Sequence, residues 1–135
     1  TRRNRGNCCM AKVKISEHTH QVNLIKWFDL QYKDYRGRLF SIPNGGKRNI
    51  IVAVKLKAEG VRPGVPDLML PVPAPGYAGL FIEMKTEKGR PTDSQLDWFN
   101  FLNEQGYYAS VCYGFEDAQE VINDYIKSIG GGSGD

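Results

Sequence analysis

The residues best suited to chemistry lie close together in the chain. Asp67 stands in Gly64-Val65-Pro66-Asp67-Leu68-Met69-Leu70, and Glu83 and Lys85 in Gly79-Leu80-Phe81-Ile82-Glu83-Met84-Lys85-Thr86. If the second segment is a strand, Phe81, Glu83 and Lys85 share one face while Leu80, Ile82 and Met84 take the other. Opposite charges two residues apart in an apolar strand are costly to bury without a partner, a metal or a task. Antiparallel pairing of the two segments could bring Asp67 beside Glu83, close enough for one cation to be shared. Paired carboxylates suit Mg²⁺ or Mn²⁺, hard ions that keep several waters and take one or two protein carboxylates plus substrate phosphate. Such an ion polarises a phosphodiester and activates bound water. Lys85, on the same face, could orient or deprotonate that water or stabilise charge on a pentacovalent phosphorus. A plainer alternative fits the spacing equally well. Asp67 then caps a turn, and Glu83 and Lys85 form a solvated pair on an exposed sheet face, worth little to stability.

Positioning these groups requires a scaffold, and the chain supplies signals for one. Ser16 followed by Glu17 reads as a helix N-cap with an acidic first turn, and Val22, Leu24, Ile25 and Phe28 continue a helix over residues 16–31. On it Glu17 and Gln21, four apart, share a face, with His20 beside them. Leu39-Phe40-Ser41-Ile42 is a short strand stopped by Pro43-Asn44-Gly45-Gly46. Residues 48–59 read as a helix ended by Gly60, although Ile50-Ile51-Val52 would suit a strand. Residues 67–70 and 79–86 form a hairpin whose long Pro-rich connection is a stiff surface excursion. Pro91-Thr92 opens a helix to about Glu104 with Leu96, Phe99 and Leu102 inward. Residues 107–113 are a strand, and residues 116–129 an amphipathic helix carrying Ala118, Val121, Ile122 and Tyr125. The order α-β-α-β-β-α-β-α predicts an α/β domain with a small mixed central sheet flanked by helices.

The bulk composition agrees with this class. At 135 residues, with 41% hydrophobic and 24% charged residues, the chain fits one soluble domain. It shows neither a membrane-spanning run nor a signal-peptide pattern, so a cytoplasmic location is expected. Adjacent Cys8 and Cys9 with distant Cys112 offer no disulfide framework, as suits a reducing compartment. A formal charge of +3 hints only weakly at a polyanionic partner. Residues 1–15 read as an N-terminal extension, with residues 1–9 preceding an expected start at Met10. Residues 130–135 have the composition of a flexible tail. Zinc held by Cys8, Cys9, His18 and His20 is disfavoured, because adjacent cysteines lack the spacing of zinc knuckles. Trp27, Phe28, Trp98, Phe99 and Phe101 recur at helical spacing and read as core before they read as base-stacking surfaces.

Pro66-Asp67 followed by Glu83-Met84-Lys85 matches the PD-(D/E)xK signature of restriction-endonuclease-like nucleases. The fuller string is more specific: Asn44-Gly45-Gly46, Leu56-Lys57-Ala58-Glu59-Gly60, the two segments above, Gly89-Arg90, Gln95 and Gly106-Tyr107. Together these resemble the VRR-NUC family, the virus-type replication-repair nuclease domain, in its small stand-alone phage and bacterial form. The resemblance covers nearly everything from Ser16 to Ile129. It implies a restriction-endonuclease-like core in which Asp67 and Glu83 bind Mg²⁺ or Mn²⁺, the backbone carbonyl of Met84 is an additional ligand and Lys85 is the catalytic lysine. By the same resemblance Glu17 is an outer acidic residue reaching the metal through water or a second ion, and Gln95 an accessory polar group.

Both helical residues have ordinary competing uses: Glu17 favours any helix N-terminus, and Thr92-x-x-Gln95 is a capping box. Lys47, Arg48, Lys88, Arg90 and Arg62, in turns flanking the site, suit phosphate contacts that carry no sequence information. The activity implied is structure-selective endonuclease cleavage of branched DNA, Holliday-junction-resolvase-like, by a homodimer without a small-molecule cofactor. A non-catalytic DNA-binding module on the same fold is the alternative. Sequence-specific restriction lacks room for a separate recognition region.

Overall fold

The computed structural model describes residues 14–43 and 49–134. Lys47, Arg48 and the residues before Lys14 lie outside them. Helix α1 (Glu17–Gln31) begins where expected, the Ser16 hydroxyl accepting from the Thr19 N–H. A 3₁₀ turn (Lys33–Tyr35) leads to strand β1 (Phe40–Ser41), and α2 (Ile50–Ala58) starts at Asn49, whose side chain accepts from the Val52 N–H. Strands β2 (Leu68–Leu70) and β3 (Leu80–Lys85), helix α3 (Asp93–Glu104), strand β4 (Tyr108–Tyr113) and helix α4 (Phe115–Gly134) complete the order. The α-β-α-β-β-α-β-α succession read from the sequence is the one observed. α4 continues to Gly134 rather than stopping at Ile129 before a flexible tail, because adding residues to an anchored helix costs far less than starting one.

The four strands form one mixed sheet in the order β1-β2-β3-β4. β1 pairs antiparallel with β2 and β2 antiparallel with β3, whereas β4 joins β3 in parallel through α3, the crossover that a parallel pair requires. Leu68 lies opposite Ile82 and Leu70 opposite Leu80. One step further along the same register sets Asp67 opposite Glu83.

The central strand β3 is buried on both faces. Leu80, Ile82 and Met84 pack with Leu24 and Phe28 of α1 and Ala118, Ile122 and Tyr125 of α4. Cys112 belongs to this core; burial pushes its thiol up to about 12, so it stays an inert apolar side chain. α3 covers the opposite face with Phe99 and Leu102, but Leu96 is 46% exposed and does not point inward as the periodicity predicts. The inward stripe is instead Gln95, Phe99 and Leu102, because Gln95 turns toward a polar partner on the sheet. Phe101 is likewise 50% exposed, packing edge-on against Trp98 outside the core. The outer edge of β4 is tended at both ends. The Ala109 N–H donates to Asn103 Oδ1 at 3.3 Å and the Tyr113 N–H to Asp117 Oδ2 at 2.8 Å.

α2 is the exception to this packing. None of its residues is buried, and Ile50, Ile51 and Val54 are 79%, 74% and 61% exposed. Among the described residues no helix is long and apolar enough to cross a membrane.

Candidate active site

Glu83 sits on the face of β3 that α3 covers and is only 2% exposed, the one buried charged residue among those described. Its Oε2 accepts a hydrogen bond from Gln95 Nε2 at 2.9 Å and lies 3.8 Å from Lys85 Nζ. Its Oε1 is buried with no hydrogen-bond partner. Lys85 reaches the same place from two residues further along the strand, its side chain 12% exposed. The stem of Lys85 runs past Gly89, where a Cβ would sit 3.1 Å from Lys85 Cδ. This burial excludes the solvated surface pair that the spacing had left open.

Asp67 approaches from the start of β2. Its Oδ2 accepts from the Met84 N–H at 2.8 Å, and its carbonyl accepts from the Ile42 N–H at 2.7 Å. Within a strand a residue's N–H and C=O leave on the same side, so the Met84 carbonyl also leaves β3 toward Asp67. Burial raises the Glu83 carboxyl from 4.5 to about 8, with the Asp67 charge next; Lys85 opposes the rise, and the charge of Glu17 adds to it. A buried carboxyl beside a second carboxylate favours binding a proton or a cation. An orphaned buried carboxylate oxygen is what a divalent ion would satisfy. The donor set fits: Asp67, Glu83 and the Met84 carbonyl are all hard oxygens. No group of three or more His, Cys, Asp or Glu side chains is placed for a metal among the described residues. Mg²⁺ needs no such group, since it takes one or two carboxylates and keeps its waters.

Gln95 combines both readings that its position allowed. Its Oε1 accepts from the Thr92 N–H at 2.8 Å and its own N–H donates to Thr92 Oγ1, closing the capping box of α3, while Nε2 holds Glu83. The helix cap therefore fixes the orientation of a site residue. Glu17, in the exposed first turn of α1, lies near enough for its charge to act on Glu83. Of the basic residues, Arg62 donates to the Lys57 carbonyl at 3.3 Å at the C-terminus of α2, and Lys88 and Arg90 are exposed in the turn beyond Lys85.

His20 is not simply solvated, as its place on the helix surface suggests: its Nδ1 accepts from the Phe115 N–H at 3.0 Å and ties α1 to the start of α4. No spacing signal could reveal a partner 95 residues away. Gly64, close-packed against α3, was legible only as the first residue of the segment that carries Asp67.

A family model described as the VRR-NUC domain matches residues 14–116. The chain belongs to the VRR-NUC family. This VRR-NUC chain therefore carries a nuclease-type fold. A solved structure titled "VRR_NUC domain protein" superposes with a TM-score of 0.76 at 27% sequence identity, covering 87% of this chain and 93% of that one. The restriction-endonuclease-like mixed α/β architecture expected from the motifs is thus the architecture found. No curated protein matches the VRR-NUC chain in sequence.

Proposed function

We propose that this VRR-NUC chain is a Mg²⁺- or Mn²⁺-dependent endonuclease that hydrolyses DNA phosphodiesters. The observation that carries the reading is the pairing of Asp67 with Glu83 around an unsatisfied buried oxygen, with Lys85 Nζ 3.8 Å from Glu83. Asp67, Glu83 and the Met84 carbonyl would hold the ion. When bound it supplies Lewis-acid polarisation of the phosphate and an acidified water. Lys85 orients or deprotonates the attacking water and offsets negative charge gathering on phosphorus. Gln95 keeps the Glu83 carboxylate in one orientation, and Glu17 adds negative charge at the rim through water or a second ion. Lys88, Arg90 and Arg62, with Lys47 and Arg48, would contact phosphates.

The substrate we favour is branched DNA, with two copies cutting the two strands of a four-way junction. One chain offers one site, and a two-fold substrate calls for a two-fold enzyme. The bare aliphatic surface of α2 supports association. A nine-residue helix is marginal in water unless its apolar residues are covered. A second copy could cover it with the outer face of α3, where Leu96, Trp98 and Phe101 lie among Asp93, Asp97 and Glu104, opposite in charge to Lys55 and Lys57 of α2.

Incubation of the protein with Mg²⁺ or Mn²⁺ on linear, flapped and four-way DNA, beside Asp67→Ala and Lys85→Ala, tests the proposal. Cleavage of the branched substrates is expected for the wild type alone. Cleavage surviving both substitutions would rule out this site, and folded, DNA-binding protein that cuts nothing would favour a binding module on the same fold.

A further inference from the structure

The arms of the site are gauged against each other at a residue that carries no functional group. Gly64 is buried, with φ +88°, three residues before Asp67. A Cβ on Gly64 would sit 2.6 Å from both the carbonyl carbon and oxygen of Ser94 and 2.9 Å from Ser94 Cβ. Ser94 is in the first turn of α3 and directly precedes Gln95. The chain leading to Asp67 thus rests on the backbone of the turn that presents Gln95 to Glu83. Fully buried Pro66 leaves little slack between that contact and Asp67.

We infer that Gly64 is a positioning residue whose bare Cα sets the separation between Asp67 and the Gln95–Glu83 pair. This rests on the proposed site, since that separation is the spacing of its two carboxylates. Ordinary contact at 3.4 Å or more would require the helix turn or the Asp67 loop to recede by nearly 1 Å in Gly64→Ala. Errors of that size cost on the order of 100-fold where reacting groups must be aligned. Gly60 provides an internal control. It has φ +105° with nothing within 4 Å of an added Cβ, so Gly60→Ala carries the same kind of backbone strain without the collision.

The test follows the ¹⁵N–¹H signals of the Gln95 side-chain amide and of the Met84 amide, which report the bonds to Glu83 and to Asp67 without any metal. Mn²⁺ affinity is titrated in parallel. Gly64→Ala is expected to shift both signals and weaken Mn²⁺ binding at least tenfold, whereas Gly60→Ala leaves both signals and the affinity in place. If Gly64→Ala does not fold, Ser94→Val presses on the same contact from an exposed helix position and should give a milder version of the same changes. Unchanged Gln95 and Met84 signals in the folded variant would overturn the inference. So would equal shifts in Gly60→Ala. Absence of Mn²⁺ binding by the wild type would remove the metal from the proposed function, and the two signals would still decide the role of Gly64.

Discussion

Replacing Glu83 by glutamine keeps the shape of the side chain and removes a charge that its surroundings disfavour. In the metal-free protein this carboxyl is raised from 4.5 to about 8, first by burial and then by Asp67. A group whose folded value lies above its unfolded value favours folding while protonated. That contribution is complete below about 4.5 and is lost as pH climbs to about 8. At pH 9 the ionised carboxylate therefore costs at most about 5 kcal/mol relative to a permanently neutral group. A weaker hydrogen bond from Gln95 and the desolvated amide take back ~2 kcal/mol. About 3 kcal/mol remains, or roughly 10 °C in Tm for a domain of this size. The Glu83→Gln amide oxygen retains the Gln95 bond, and its NH₂ can donate toward Asp67. Thermal melts in EDTA between pH 5 and 9 should show the variant pulling ahead of the wild type as pH rises, with no further gain above about 8. Mg²⁺ at a hundredfold excess over Kd should add about 2.7 kcal/mol to the wild type and little to the variant, narrowing the gap. A Glu83→Gln melting point at or below that of the wild type at pH 9 would refute the description of Glu83 as a strained, cation-seeking carboxylate.

Other substitutions separate binding from chemistry. Lys85→Ala should retain Mn²⁺ binding by calorimetry while lowering the cleavage rate ~10²–10⁴-fold, since the role proposed for its amine is at the attacking water and not at the ion. Gln95→Leu should cost ~1–2 kcal/mol in urea denaturation through the lost cap and weaken metal binding ~10–100-fold. The Gln95→Glu variant should restore the cap but not the metal affinity. Ile51→Glu with Val54→Glu should convert the proposed dimer to monomers by light scattering without altering the metal-induced rise in Tm. A charge exchange, Lys55→Glu and Lys57→Glu against Asp97→Lys and Glu104→Lys, should restore mixed dimers if α2 meets α3 of the second copy.

Much of this arrangement was legible because it depends on local rules. Alternation along residues 80–85 placed Glu83 and Lys85 together, and hairpin register carried Asp67 to Glu83. The caps at Ser16 and Thr92 were read from residue types that satisfy free N–H groups. Parts that depended on distant surfaces were not legible. Leu96 fits an apolar stripe as well as Phe99 does, and only the pull of Gln95 toward Glu83 rotates it outward. Whether Glu83 and Lys85 faced water or α3 could not follow from alternation, which assigns faces but not their covering. His20 and Gly64 act through Phe115 and Ser94, contacts that only the folded chain creates.

The side chains at the border of β4 bear on how the protein behaves at high concentration. Tyr108–Tyr113 is an uncharged, proline-free strand at the rim of a sheet, the kind of segment that recruits further strands into aggregates. Asn103 and Asp117 occupy outward amides at its two ends. A newcomer strand would have to displace both before it could zip along the rim. Solubility during storage or overexpression thus hangs on two polar residues remote from the carboxylates, and losing either invites precipitation of an otherwise correctly folded protein.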